Sequence, residues 1–154
     1  MQLTRQNTQH NVKAKLYILA LVAAVLSMSS CDKKDCNGDL DGMWQLTEWR
    51  GADGTVKATK QDMIFYSFQL QMCSFLKSGD SDFYMRALLK VSPEQITIYN
   101  PFDYVGDSHD EVRPMSVLAV AGVPEDGIFQ IETLTGSQML LKTNDGELLS
   151  FRKY

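Results

Sequence analysis

Three cysteines, two histidines and a scatter of carboxylates are the residues of this chain that could do chemistry. Their spacing restricts what that chemistry can be. The cysteines are Cys31, Cys36 and Cys73. No Cys-x-x-Cys occurs, so neither a zinc ribbon nor a thioredoxin-like dithiol is supported. The histidines are His10, ahead of a strongly apolar segment, and His109, in an acidic stretch expected to be a loop. A domain with one histidine has little basis for a His-rich metal site or for a Ser-His-Asp or Cys-His relay. The chain has no P-loop, nucleophile elbow or metal-spaced cluster. Paired carboxylates can do acid–base work when one is buried and its pKa is raised. The acidic residues inside expected strands are Glu48 and Glu132, both at ordinary outward positions. The expectation is therefore a protein without metal, cofactor or catalytic site.

Cys31 has the clearest chemistry, because of what precedes it. Arg5, Lys13 and Lys15 form a basic start, Leu16 to Leu26 is an uninterrupted apolar run of 11 residues, and Ser27, Ser29 and Ser30 follow. Basic, apolar, small-residue is the layout of a secretory signal peptide. A helix of that length covers about 16 Å against a hydrocarbon core of roughly 30 Å, too short for a permanent span. Met28-Ser29-Ser30-Cys31 resembles a bacterial lipobox, which implies that Cys31 becomes the lipid-modified first residue of the mature chain. The alternative is an ordinary cleaved signal with Cys31 incidental. Each buried CH₂ contributes about 0.8 kcal/mol, so several acyl chains hold a small domain firmly on a membrane. The expected organisation is a signal peptide over 1–30, a charged, unpatterned tether over 31–41 and one domain over 42–154. The expected location is the outer membrane or surface of a Gram-negative envelope.

Three of the 15 basic residues and none of the 19 acidic ones lie in 1–30, so the remaining chain carries 12 against 19, or −7. Such a surface lacks the positive footprint that nucleic-acid phosphates require. Beyond the inner membrane disulfides are permitted. A Cys36–Cys73 bridge would close a loop of roughly 37 residues and stabilise by about 3–4 kcal/mol. The alternative leaves both cysteines unpaired, with Cys73 a small buried residue at a strand end.

The elements that must position these residues are strands. Gly42 to Arg50 alternates, with Trp44 and Leu46 on one face, and Gly51-Ala52-Asp53-Gly54 is a turn. Met63 to Leu76 reads as one long strand, with Ile64, Tyr66, Phe68, Leu70 and Met72 on one face and Phe65 and Cys73 on the other. Phe83, Met85, Ala87, Leu89 and Val91 make the next apolar face. A break at Ser92-Pro93-Glu94 precedes a brief restart through Ile96 and Ile98. Asn100 to Glu111 reads as an acidic loop. Pro114 and Gly122 bracket a short helix, or else a strand through Val117, Ala119 and Ala121. Ile128–Leu134, Gln138–Thr143 and Leu148–Lys153 are short strands, with Asn144-Asp145-Gly146 a hairpin signal between the last two. The expected fold is all-β and antiparallel, a sandwich or barrel of seven or eight strands.

Gly42-x-Trp44 on the first strand, together with Ser150-Phe151-Arg152-Lys153-Tyr154 at the end, resembles the lipocalin pattern. With the signal and Cys31, the whole resembles the small lipocalin-like lipoproteins of Bacteroidetes. The resemblance implies an up-and-down barrel in which Trp44 plugs one end and Arg152 lies across its ring. Two functions then compete. In the first, the barrel binds one small hydrophobic ligand on the inward residues Tyr66, Phe68, Leu70, Met72, Phe83, Met85, Leu89 and Leu141. In the second, the barrel is solid and serves as an accessory to an envelope protein partner.

Overall fold

Among the described residues the chain forms ten strands, eight of which close on themselves. The structure, a computed structural model, describes residues 37–79, 83–103 and 111–154. Cys31, Cys36, His109, the expected signal peptide and most of the expected tether lie outside the described residues.

The strands are β1 (Gly42–Arg50), β2 (Val56–Thr59), β3 (Ile64–Gln69), β4 (Met72–Lys77), β5 (Phe83–Val91), β6 (Gln95–Asp103), β7 (Glu111–Val112), β8 (Ile128–Leu134), β9 (Gln138–Thr143) and β10 (Leu148–Lys153). Every pairing is antiparallel, in the order β10-β9-β8-β6-β5-β4-β3-β1, and β1 pairs with β10 to close the barrel. Closure leaves the barrel without a free edge. The two remaining strands are accessory. β2 pairs with the far half of β1, and the two-residue β7 pairs with the end of β6. The three C-terminal strands have the bounds read from the sequence, because Gly and Asn-Asp-Gly turns interrupt the alternation there.

The long strand expected over 63–76 is instead a hairpin. Phe68 pairs with Cys73 and Gln69 with Met72, which leaves Leu70-Gln71 as a two-residue turn. Two-residue turns ordinarily use Gly or Asn at a positive φ. Here Leu70 takes φ 56°, so the turn carries no sequence signature. The turn reverses the parity after Gln69. Cys73 and Phe75 therefore face inward with Tyr66 and Phe68, while Leu70 and Met72 are exposed.

A short 3-10 helix over Met115–Ala121, here called the cap helix, begins after Pro114 and ends at Gly122. Gly122 sits at φ 88°, and a Cβ there would lie 2.9 Å from Leu149 Cδ2 and 3.3 Å from the Trp49 ring. Both the turn and the space require glycine. The helix alternative of the sequence reading is the one adopted.

Candidate functional site

Parity decides what lines the barrel. One residue in two from each barrel strand points inward, and these side chains form a single apolar cluster. Trp44, Tyr66, Phe68, Phe75 and Phe129 are among the side chains buried to within 1%. Tyr66 stands at the centre, edge-on to Phe75 at 4.7 Å and to Phe68 at 6.1 Å. Such edge-to-face pairs contribute about 0.5–1.5 kcal/mol each beyond area burial.

The two ends of the barrel are closed by different means. At the end where β1 begins, the Trp44 indole N–H donates to the Leu40 carbonyl at 2.7 Å, and Leu40 is fully buried. Lys153 Nζ lies 4.8 Å from the centre of the Trp44 ring and donates to the Asp39 carbonyl at 2.8 Å. These contacts close the barrel at this end. The expected partner of Trp44 was Arg152, and the register corrects it. Trp44 pairs with Lys153 and Gln45 with Arg152, so the cation on the Trp44 face is the lysine. Arg152 is on the outer wall, where it donates from Nε and Nη2 to Gln45 Oε1 at 3.1 and 3.0 Å.

At the opposite end the cap helix supplies Leu118 and Ala121 to the interior, followed by Val123. Among the described residues a side-chain hydrogen bond links it to the barrel wall, the Tyr66 hydroxyl donating to the Ala121 carbonyl at 2.8 Å. Met115 and Val117 of the helix, and Phe83, are partly buried against the same core. Burial pushes the Tyr66 hydroxyl well above its usual pKa, with the neighbouring Cys73 adding to the shift. Burial likewise raises the Cys73 thiol. Both groups are neutral near pH 7, and no charged side chain is buried among the described residues.

Of the eight residues expected to line the interior, Tyr66, Phe68, Met85, Leu89 and Leu141 are buried in the cluster and Phe83 packs against it. Leu70 and Met72 are not interior residues, for the parity reason given above. The sequence reading missed Phe75, Phe129, Met139 and the cap-helix residues Leu118 and Ala121. The alternation of β8 and β9 was enough to find Phe129 and Met139. For Cys36 and Cys73 the sequence left open a bridge or two unpaired thiols, and Cys36 lies outside the described residues. Cys73 is a free, buried thiol, and its Sγ approaches the Ala87 carbonyl at 3.8 Å. Glu48 is engaged by Arg50 at 2.9 Å, and Glu132 is exposed.

The comparisons with known proteins agree with this architecture. The model of a family described as "Lipocalin-like domain" matches residues 25–154. A lipocalin-like protein from Bacteroides uniformis superposes with a TM-score of 0.58 at 27% identity, covering 76% of this chain and 100% of that one. An uncharacterized protein from Bacteroides eggerthii superposes with a TM-score of 0.55 at 28% identity, covering 75% of this chain and 99% of that one. No curated protein matches the chain.

Proposed function

The chain belongs to the lipocalin-like domain family, and on that premise we propose that it is a lipid-anchored, non-catalytic protein of the cell envelope whose barrel takes one small hydrophobic ligand. The observation that carries the reading is the asymmetry of the two barrel ends. The floor at Trp44 is held by an indole hydrogen bond, a stacked lysine and a buried leucine. The cap is a seven-residue helix whose side-chain hydrogen bond to the wall, among the described residues, comes from Tyr66. Displacing Leu118 and Ala121 opens the upper barrel to a ligand without breaking any pairing between strands. The vacated surface is apolar, with the Tyr66 hydroxyl as its polar contact. A neutral or weakly polar compound, such as an acyl chain or a flat aromatic molecule, suits such a lining.

The lipid anchor is supported by the lipobox-like Met28-Ser29-Ser30-Cys31 after a short apolar run. Among the described residues no helix is long and apolar enough to cross a membrane.

A second reading, a solid barrel serving a protein partner, is favoured by the dense burial of the same interior rings. An eight-stranded barrel is just wide enough for side chains to fill. One experiment separates the two. The full chain, expressed with its own signal in a Gram-negative host, is purified from membranes and examined by native mass spectrometry. A ligand-binding barrel carries, beyond the covalent lipid, a mass of a few hundred daltons that is lost on denaturation. A bare mass, persisting after incubation with envelope lipid extract, supports the solid barrel. Labelled palmitate incorporated by the wild type and lost in Cys31→Ala tests the anchor.

A further inference from the structure

The hairpin turn between β3 and β4 has features that neither the barrel nor its interior explains. Leu70 occupies the left-handed region at φ 56°, where a side chain other than Gly, Asn or Asp is uncommon. It is also 53% exposed, with Met72 at 40% and Val91 at 39% beside it. Leu70, Met72 and Leu88 line an open apolar groove of about 530 Å³. A second groove, of about 420 Å³, shares Leu70 and continues past Lys90 and Val91 to Tyr99. Lys90 carries the only charge among the described residues lining the two grooves, and its Nζ lies 5.1 Å from the Tyr99 ring centre. An exposed leucine held in an unfavourable backbone conformation points to a use for that side chain outside the fold.

What covers this surface follows from chain length. Asn37 donates from Nδ2 to the Leu70 carbonyl at 2.8 Å. Cys31 precedes Asn37 by six residues, so the chain can span at most about 20 Å between them. The far end of the barrel lies about 30 Å from this turn along the nine residues of β1. Resting on the inference that Cys31 is lipidated, we propose that Leu70, Met72 and Val91 insert into the membrane that holds the anchor, with Tyr99 and Lys90 at the headgroup level. The partner is a lipid bilayer. The apolar tips enter the acyl boundary, and the aromatic ring and ammonium take the interfacial positions that such groups prefer. The barrel then stands on its floor, with the cap helix facing away from the bilayer.

The test uses the full-length lipidated protein in vesicles of phosphatidylethanolamine and phosphatidylglycerol. Cys36 is replaced by Ser, and Cys73 is buried and does not label. A nitroxide is placed at Leu70→Cys or, as the far-end reference, at Asp53→Cys. Flotation is read first. Protein that does not float with vesicles and incorporates no palmitate overturns the anchor and this inference together. Protein that floats is examined for nitroxide collision with oxygen and with a water-soluble nickel chelate. The expected result is a severalfold preference for oxygen at position 70 and for the chelate at position 53. Equal chelate access at both positions overturns the docking and leaves the anchor standing. Protection at position 70 that disappears when the protein is diluted among vesicles assigns the surface to a second copy of the chain and overturns the bilayer. A third label, at Val91→Cys, is combined with Leu70→Asn and Met72→Lys. Asn suits the left-handed turn, so the fold is retained. The label gains chelate access while flotation is unchanged.

Discussion

Tyr66→Phe removes one oxygen atom from the interior and nothing from its shape. The lost hydroxyl donates at 2.8 Å to the Ala121 carbonyl, and Ala121 is itself fully buried. A hydrogen bond of this kind contributes about 1 kcal/mol net, and a buried acceptor left without its donor costs about 1–3 kcal/mol. The folded state should therefore lose about 1–3 kcal/mol, and the loss should fall on the contact between cap helix and barrel. If the uncapped form is the one that takes a ligand, the apparent affinity scales with its population. A shift of 1.4 kcal/mol is tenfold, so an environment-sensitive hydrophobic probe should bind about tenfold more tightly to the variant than to the wild type. Denaturant unfolding of the full chain in micelles measures the first quantity and probe titration the second. Hydrogen exchange of residues 115–123 locates the effect, with faster exchange there and unchanged exchange in β9 and β10. Unaltered stability with unaltered exchange of the cap would refute the role given to this bond. Lost stability spread evenly over all strands would refute its assignment to a cap.

Other substitutions test neighbouring parts of the structure. Gly127 sits at φ 68° with the Ile98 carbonyl oxygen 1.9 Å from where a Cβ would stand. Gly127→Ala should cost several kcal/mol, roughly 3 or more, in thermal or denaturant unfolding, while Gly136→Ala, whose Cβ would make an ordinary contact with Asp39 Oδ1 at 3.9 Å, should change little. Lys153→Met should lower stability by about 1 kcal/mol and shift the emission of Trp44 when measured in a Trp49→Phe background, because the cation stands on the Trp44 ring. Arg152→Met should leave that emission unchanged. The Cys73 thiol should be unreactive toward a thiol reagent until the protein unfolds. Its pKa is raised in the folded state by burial, so the folded chain keeps a proton that the unfolded chain loses. Its contribution to stability is fully present below about pH 8.5, the unfolded value, and is lost as pH rises from there toward the folded value. The decline should be about 1.4 kcal/mol per pH unit from this group. Cys73→Ala should flatten that part of the stability curve, with Tyr66 contributing the remaining slope above about pH 10.

Where turns carried Gly, Asn or Pro, the architecture could be read from residues alone. The final three strands and the cap helix between Pro114 and Gly122 are examples. Where a turn carried neither, it could not be read. Leu70-Gln71 continues the apolar–polar alternation across a chain reversal, so a period-2 pattern spans two strands without a break. That single reversal misplaced Leu70, Met72 and Cys73 together, since a shift of one residue exchanges the faces of a strand. The same sensitivity explains Arg152 and Lys153. Both are basic and adjacent, and only the β1–β10 register decides which stands over Trp44. The contribution of the cap helix was illegible for a different reason. Leu118 and Ala121 reach the interior through a tertiary fold-back that local periodicity does not encode.

The central claim is that a hydrophobic ligand enters the barrel at the cap end. Photolabelling with a diazirine-bearing acyl chain, followed by mapping of the labelled residues, tests it most directly on the full chain in detergent. An interior site yields label on the cap helix and on inward residues such as Met85, Leu89 and Leu141, suppressed by excess unlabelled acyl chain. Label confined to the outer turn at Leu70 and Met72, or label that the competitor does not reduce, would contradict it.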